Sequence, residues 1–370
     1  MTSIGATAGS SYSSTYATIL ANLQKNNAGS NAAATAYGGG NSSATTVTLS
    51  EAAKAAMASK DFATVIADAR ATMDRLLGEA QKASPLKDGK LDIDLSKVDR
   101  RELFAMSVNG EQKFMVDEQK AARIELQARF DQVLAGPTSV GRVTGKIDGL
   151  YTAALAFLDL AGLEEKASAG YADARSAIEQ MIAKLKTDPG TLPGTFPGDP
   201  VADYMQRLAA GETGAPRAIG AVGTDARATL DAQYRAGAAV PDYADFDSRS
   251  LAAVALNTGD DFTAGEVQAA KAEIRSRSGA ALLSALRNSD AATNPVGFSE
   301  NVISLFGAMS PEERAAAGWS DNLYAAAVAS YQTASKLAAM IGSATGSSVW
   351  GGSTANASSS GDSMSLLGYL

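Results

Sequence analysis

The sequence contains neither cysteine nor histidine. Without thiols there are no disulfides, thiolate zinc sites or thiol nucleophiles; without imidazole, every triad that uses it as base is excluded. Lack of cysteine leaves the redox compartment open. Aromatic residues are scarce, at 6%. No run of five or six basic residues occurs. A net charge of −8, with a pI near 4.8, argues against sequence-independent nucleic-acid binding, which needs a field of Lys and Arg. No block of about 18 apolar residues offers a transmembrane segment. Met1 to Gln24 carries no Lys or Arg and no continuous apolar block, which speaks against a classical secretory signal.

What is present is alanine, the strongest helix former, in a chain that is 45% hydrophobic. This predicts an all-α fold. A length of 370 residues suggests two domains.

An internal pattern agrees with that number. Asp99, Arg101, Leu103, Ala105, Asn109, Phe114, Glu118, Ala121, Ala122, Glu125 and Arg129 recur in order as Asp247, Arg249, Leu251, Ala253, Asn257, Phe262, Glu266, Ala269, Ala270, Glu273 and Arg277. Each lies 148 positions after its counterpart, without a gap. Upstream, Asp68 to Asp74 returns as Asp225 to Asp231 at an offset of 157, so the first copy carries nine extra residues, most simply in the loop from Ala83 to Leu91. Downstream, Glu164 to Tyr171 returns as Glu312 to Trp319 at 148. The expected architecture is two tandem copies of one helical unit.

The expected boundaries are a low-complexity N-terminal tail over 1–47, helical unit 1 over 48–187, a Pro/Gly linker over 188–200, helical unit 2 over 201–342 and a low-complexity C-terminal tail over 343–370. Within the N-terminal tail, Tyr16 to Leu23 has helical spacing; Thr48 and Glu51 have the spacing of a capping box ahead of a helix over 50–59. Further helices fit Asp61 to about Ala83, 149–160, 172–186, 297–309 and 321–341. The central motif reads as helix, short loop, helix, with Asp99 and Asp247 as starts, Asn109 and Asn257 as ends, and a capping box at Thr263 and Glu266. Gly136-Pro137 and Asn294-Pro295 read as breaks, and Gly170 and Gly318 as ends of short helices, each followed by an aromatic that plugs the core.

Glu118, Ala121, Ala122, Glu125 and Arg129 fall on one helix face, as do Glu266, Ala269, Ala270, Glu273 and Arg277. The structural reading is a close helix crossing beside Glu-to-Arg pairs, or a buried partner for Arg101 and Arg249. The functional reading is a carboxylate site in each unit. If Phe114 or Phe262 takes the eighth position of a calcium loop, Asn109 or Asn257 falls third and Glu118 or Glu266 twelfth, but the other ligands and the turn glycine are missing. Asp88, Asp92 and Asp94 lie among Lys87 and Lys90 and read as a solvated turn. The glycines from Gly136 to Gly141 lack the Lys and Ser or Thr of a phosphate loop, and no nucleophile elbow or dinucleotide pattern occurs.

The expectation is therefore a non-enzymatic structural or interaction protein, with a protein partner or self-assembly, no cofactor and no assigned metal or catalytic residue. A helical carboxylate-based hydrolase or lyase and a weak calcium-binding helix-loop-helix protein are the alternatives. The Ser/Thr-rich N-terminus, the Ser/Gly tract ending in Leu366-Leu367-Gly368-Tyr369-Leu370 and the lack of cysteine resemble in composition exported bacterial proteins, such as flagellar axial components and substrates with C-terminal secretion signals. That resemblance implies an extracellular or surface location reached without a classical signal; the alternative is the cytoplasm.

Overall fold

The computed structural model describes residues 60–289 and 294–345. The expected tails, the capping box at Thr48 and Glu51 and the helices over 16–23 and 50–59 lie outside these residues. The described chain is mostly helical, as its alanine content requires.

Helix α1 spans Phe62–Ala80, started by the Asp61 carboxylate, which accepts from the Thr64 amide at 2.7 Å. It turns Val65, Ile66, Ala69 and Met73 into the core. Two short antiparallel strands follow, β1 (Leu86–Lys87) and β2 (Lys90–Leu91). Their turn residues, Asp88 and Gly89, have φ of 50° and 77°, the positive values a two-residue hairpin turn needs. This hairpin sits where nine extra residues were expected and is absent between 236 and 247. The Leu91 amide donates to the Pro216 carbonyl at 3.0 Å, tying the hairpin to a distant stretch.

Helix α2 (Arg100–Val108) leads into the 29-residue α3 (Val116–Thr144), about 44 Å long. Gly136-Pro137 does not break it. Proline removes one ladder donor, but with glycine before it there is no Cβ to clash with the ring, and flanking helices hold the segment. Then come α4 (Asp148–Asp159), the single-turn α5 (Leu163–Lys166) and α6 (Ala169–Thr187). Gly170 does not end α5. That helix stops at Ala167, Ser168 caps α6, and Gly170 lies inside α6.

Residues 188–199 form no helix or strand, as their prolines dictate, yet they are docked. The Asp199 carboxylate, 4% exposed, accepts from the Tyr151 hydroxyl at 2.6 Å and from the Gly194 and Val201 amides at 2.9 Å. It thereby starts α7 (Pro200–Ala209), whose Val201 and Tyr204 complete a core made by the second half of α3, α4 and α6. Arg207 closes it with a two-pronged pair to Asp131, at 2.6 and 2.8 Å.

The remaining elements are α8 (Ile219–Arg235), α9 (Ser248–Leu256), α10 (Ala264–Asn288), α11 (Pro295–Ala308), α12 (Pro311–Ala317) and α13 (Asp321–Thr345). Asn294-Pro295 does mark a boundary, Asn294 capping α11 with proline in its first turn. Among the described residues, the most extensive helix pairing crosses between the expected units: α11 lies against α3. Val302 and Ile303 meet Val140 and Val143 there. A methyl group on Gly307 would stand 2.0 Å from Ser139 Oγ, so the approach depends on that glycine. Among the described residues, no helix is long and apolar enough to cross a membrane.

Candidate functional site

The residues that recur in the sequence are brought together at two places, one per motif. At the first, Asp99 caps α2 through the Arg101 amide at 2.8 Å, and Asn109 ends it in the left-handed region at φ 48°. The Asn109 amide group then pairs with a backbone: its Nδ2 donates to the Phe114 carbonyl and its Oδ1 accepts from the Phe114 amide, both at 2.9 Å. At the second, Asp247 caps α9 through Ser250, Asn257 has φ 47°, and its amide group makes the same two bonds to Phe262, at 2.9 and 3.0 Å. Gln112 and Asp260 turn the two loops with φ of 55° and 56°.

Behind each loop lies a buried carboxylate. Glu118, 3% exposed, accepts from the Met115 amide at 2.8 Å and from both terminal nitrogens of Arg70 at 2.6 and 2.8 Å. The Arg70 guanidinium also lies 5.3 Å from the Phe114 ring centre and reaches Asp74. Glu266, also 3% exposed, accepts from the Thr263 amide at 2.7 Å and from Arg227 at 2.9 Å, and Arg227 lies 5.5 Å from the Phe262 ring and reaches Asp231. Burial opposes ionisation of Glu266, but the Thr263 and Arg227 hydrogen bonds outweigh it and hold the carboxyl below the usual range.

Two turns further on, Arg129 pairs with Glu125 at 2.9 Å and donates to the Leu95, Ser96 and Val98 carbonyls. Arg277 pairs with Glu273 at 2.7 Å and donates to the Phe246, Tyr243 and Ala244 carbonyls. Each arginine gathers the carbonyls of the loop that precedes the motif's first helix. Glu125 is 2% exposed, whereas the Glu273 side chain is 35% exposed.

The i,i+4 pairs are those expected from spacing. The partners of Glu118 and Glu266, however, are Arg70 and Arg227, not Arg101 and Arg249. Arg101 instead forms a two-pronged pair with Glu164, and the neighbouring Arg100 does so with Glu165. Arg249 donates to the Arg217 carbonyl at 3.1 Å. Arg70 and Arg227 both stand in the repeated stretches Asp68 to Asp74 and Asp225 to Asp231, which marks the two residues but not the partners they meet.

The residues of the calcium-loop alignment are committed to these bonds: the Asn side chains to backbone, the Glu side chains to arginine. Asp92 pairs with Lys82 at 2.9 Å, and Asp94 and Asp242 each accept from the amide two residues on. No group of three potential metal-ligating side chains occurs among the described residues. An open groove of about 410 Å³ runs between the hairpin and α8, with Lys82, Lys87 and Lys90 facing Asp88, Asp92 and Asp225, a balance that selects no charge of ligand. Comparison with family models, curated proteins and solved structures finds no match to this chain.

Proposed function

We propose that the chain is a non-enzymatic structural or interaction protein, built from two tandem copies of one helical unit and exported to the cell surface or medium. The observation that carries the reading is the paired use of Asn, Glu and Arg: in both motifs the same side chains close the same loop and are spent doing so. A buried carboxylate held by an arginine and a backbone amide has no lone pair aimed at a substrate, which weighs against acid–base catalysis by Glu118 or Glu266, and Glu125, also buried, is held by Arg129. Glu273 is more open, but it too is held by its arginine. The matched caps, the matched guanidinium-over-phenylalanine contacts and the constant offset support duplication of one scaffold rather than of one active site. A scaffold of this kind serves by what it holds, either a protein partner or further copies of itself.

Export rests on the composition of the two ends. The test is to express the full chain, and chains lacking residues 1–24 or 363–370, in the cell of origin and to locate each by immunoblot of cytosol, surface wash and medium. The full chain is expected outside, with at least one truncated chain retained. Equal distribution of all three overturns export. Light scattering on the purified full chain, compared with its 37.7 kDa monomer mass, tests self-assembly.

A further inference from the structure

A small cavity of about 40 Å³ opens between α9, α10 and α12, lined by Ser248, Leu251, Ile274, Arg277, Ser278, Met309 and Glu313. It has room for about three water-sized groups. Moving back 148 positions, the equivalent residues are Arg100, Leu103, Leu126, Arg129, Phe130, Ala161 and Glu165. In the first motif that space is full. The Arg100 guanidinium lies 4.1 Å from the Phe157 ring centre, donates to the Phe157 carbonyl at 2.5 Å and grips Glu165 through two bonds, at 2.9 and 2.6 Å. The Phe130 ring packs edge-on against Phe157 at 5.4 Å.

In the second motif two large side chains have become serine, Ser248 for Arg100 and Ser278 for Phe130, while the carboxylate is kept. Glu313 accepts from the Ser310 amide at 2.6 Å and forms no ion pair among the described residues. Of the neighbouring cations, Arg277 is spent on Glu273 and three carbonyls, and Arg314 on the Phe306 ring and the Phe306 and Met309 carbonyls, while Arg249 acts on Glu313 through its charge but donates to the Arg217 carbonyl and forms no ion pair with it. Burial pushes the Glu313 carboxyl above its usual range, against the opposing pull of its Ser310 hydrogen bonds and of the Arg249 charge.

We propose that this cavity is a binding site for one guanidinium group, taking the place that Arg100 fills in the first motif, with Glu313 as its two-pronged acceptor. Arg129 beside Arg100 shows that the neighbouring Arg277 does not forbid a second guanidinium, because its own charge is neutralised by Glu273 and carbonyl oxygens. A planar cation of that size matches both the volume and the retained carboxylate. The inference rests on the two motifs being copies, and the test separates the two claims.

The full chain is melted and titrated calorimetrically with methylguanidinium chloride and with N-acetyl-arginine amide, against sodium chloride at equal ionic strength. A saturable rise in melting temperature beyond the salt control is expected, lost in Glu313→Gln, which keeps the bond from Ser310. Ser248→Arg supplies the guanidinium from within, so it should raise the melting temperature and abolish the response. A stronger response to the arginine derivative identifies a side chain of a partner protein as the source, and a response to methylguanidinium alone identifies a free small guanidine. If Ser248→Arg stabilises but neither probe acts on the parent chain, the copies correspond and the binding site is overturned. If Ser248→Arg destabilises, the correspondence itself fails. A response that survives Glu313→Gln also overturns the proposal.

Discussion

The single-turn helix α5 and its counterpart α12 follow their motifs at the same distance but are held in different ways. The four residues of α5 have no side-chain cap; two arginines of α2, more than sixty positions earlier in the chain, grip Glu164 and Glu165. The seven residues of α12 carry their own signals: a Ser310–Glu313 capping box, Pro311 in the first turn and Gly318 in the left-handed region at the end. Beside these local devices, Ser248 stands 148 positions after Arg100 and offers no clamp of that kind, and Arg249 donates to the Arg217 carbonyl. A short helix needs either tertiary clamps or good ends, because one turn alone does not repay its own nucleation. The Asn and Glu closures, by contrast, are the same in both motifs, since nothing local substitutes for them.

The largest effect is expected where the two regions agree. Arg70→Ala and Arg227→Ala each leave a buried glutamate without its cation, and each should cost about 3 kcal/mol in urea unfolding; a marked inequality would break the equivalence of the closures. Next comes the point of divergence. Arg100→Ala should cost about 2 kcal/mol, from lost charged hydrogen bonds, whereas Ser248→Ala should change stability by less than ~0.5 kcal/mol. Asn109→Ala and Asn257→Ala, which lose two backbone bonds and a left-handed cap, should each cost about 1 to 2 kcal/mol, measured in the same way.

The smallest effect is one of sign, read from melts between acid and neutral pH. The Arg101 hydrogen bonds hold Glu164 below the ordinary carboxylate range, so its contribution is present above that range and is lost as pH falls through its lowered pKa. Burial raises Glu313, so its contribution is present in acid and is lost as pH rises through its raised pKa. Glu164→Gln should therefore weaken the protein chiefly at neutral pH, and Glu313→Gln should strengthen it there. The same sign for both would end the contrast.

Much of this architecture could be read from residue order. Helix existence followed from alanine content and apolar spacing, and Asp99, Asp247, Asn109 and Asn257 marked their helix ends, because capping acts within a few residues. Asp88-Gly89 carried a hairpin signal that the surrounding lysines and aspartates obscured. Gly136-Pro137 misled, because a proline's local cost is outweighed when the helix is clasped on several sides. At the candidate site, the i,i+4 pairs Glu125 to Arg129 and Glu273 to Arg277 were legible. The pairs Arg70 to Glu118 and Arg100 to Glu165 were not: they join residues 48 and 65 positions apart, and spacing carries no information at that range.

The crossing of α11 over α3, with Gly307 seated on Ser139, also sets an order of events during synthesis. Val140 and Val143 emerge from the ribosome roughly 150 residues before the helix that covers them, an interval of about 8 to 30 seconds at ordinary elongation rates. Until then the second half of α3 presents an uncovered apolar strip. The newborn first half therefore carries that strip unpaired until α11 arrives, so this part of the packing forms after the contacts within the first half.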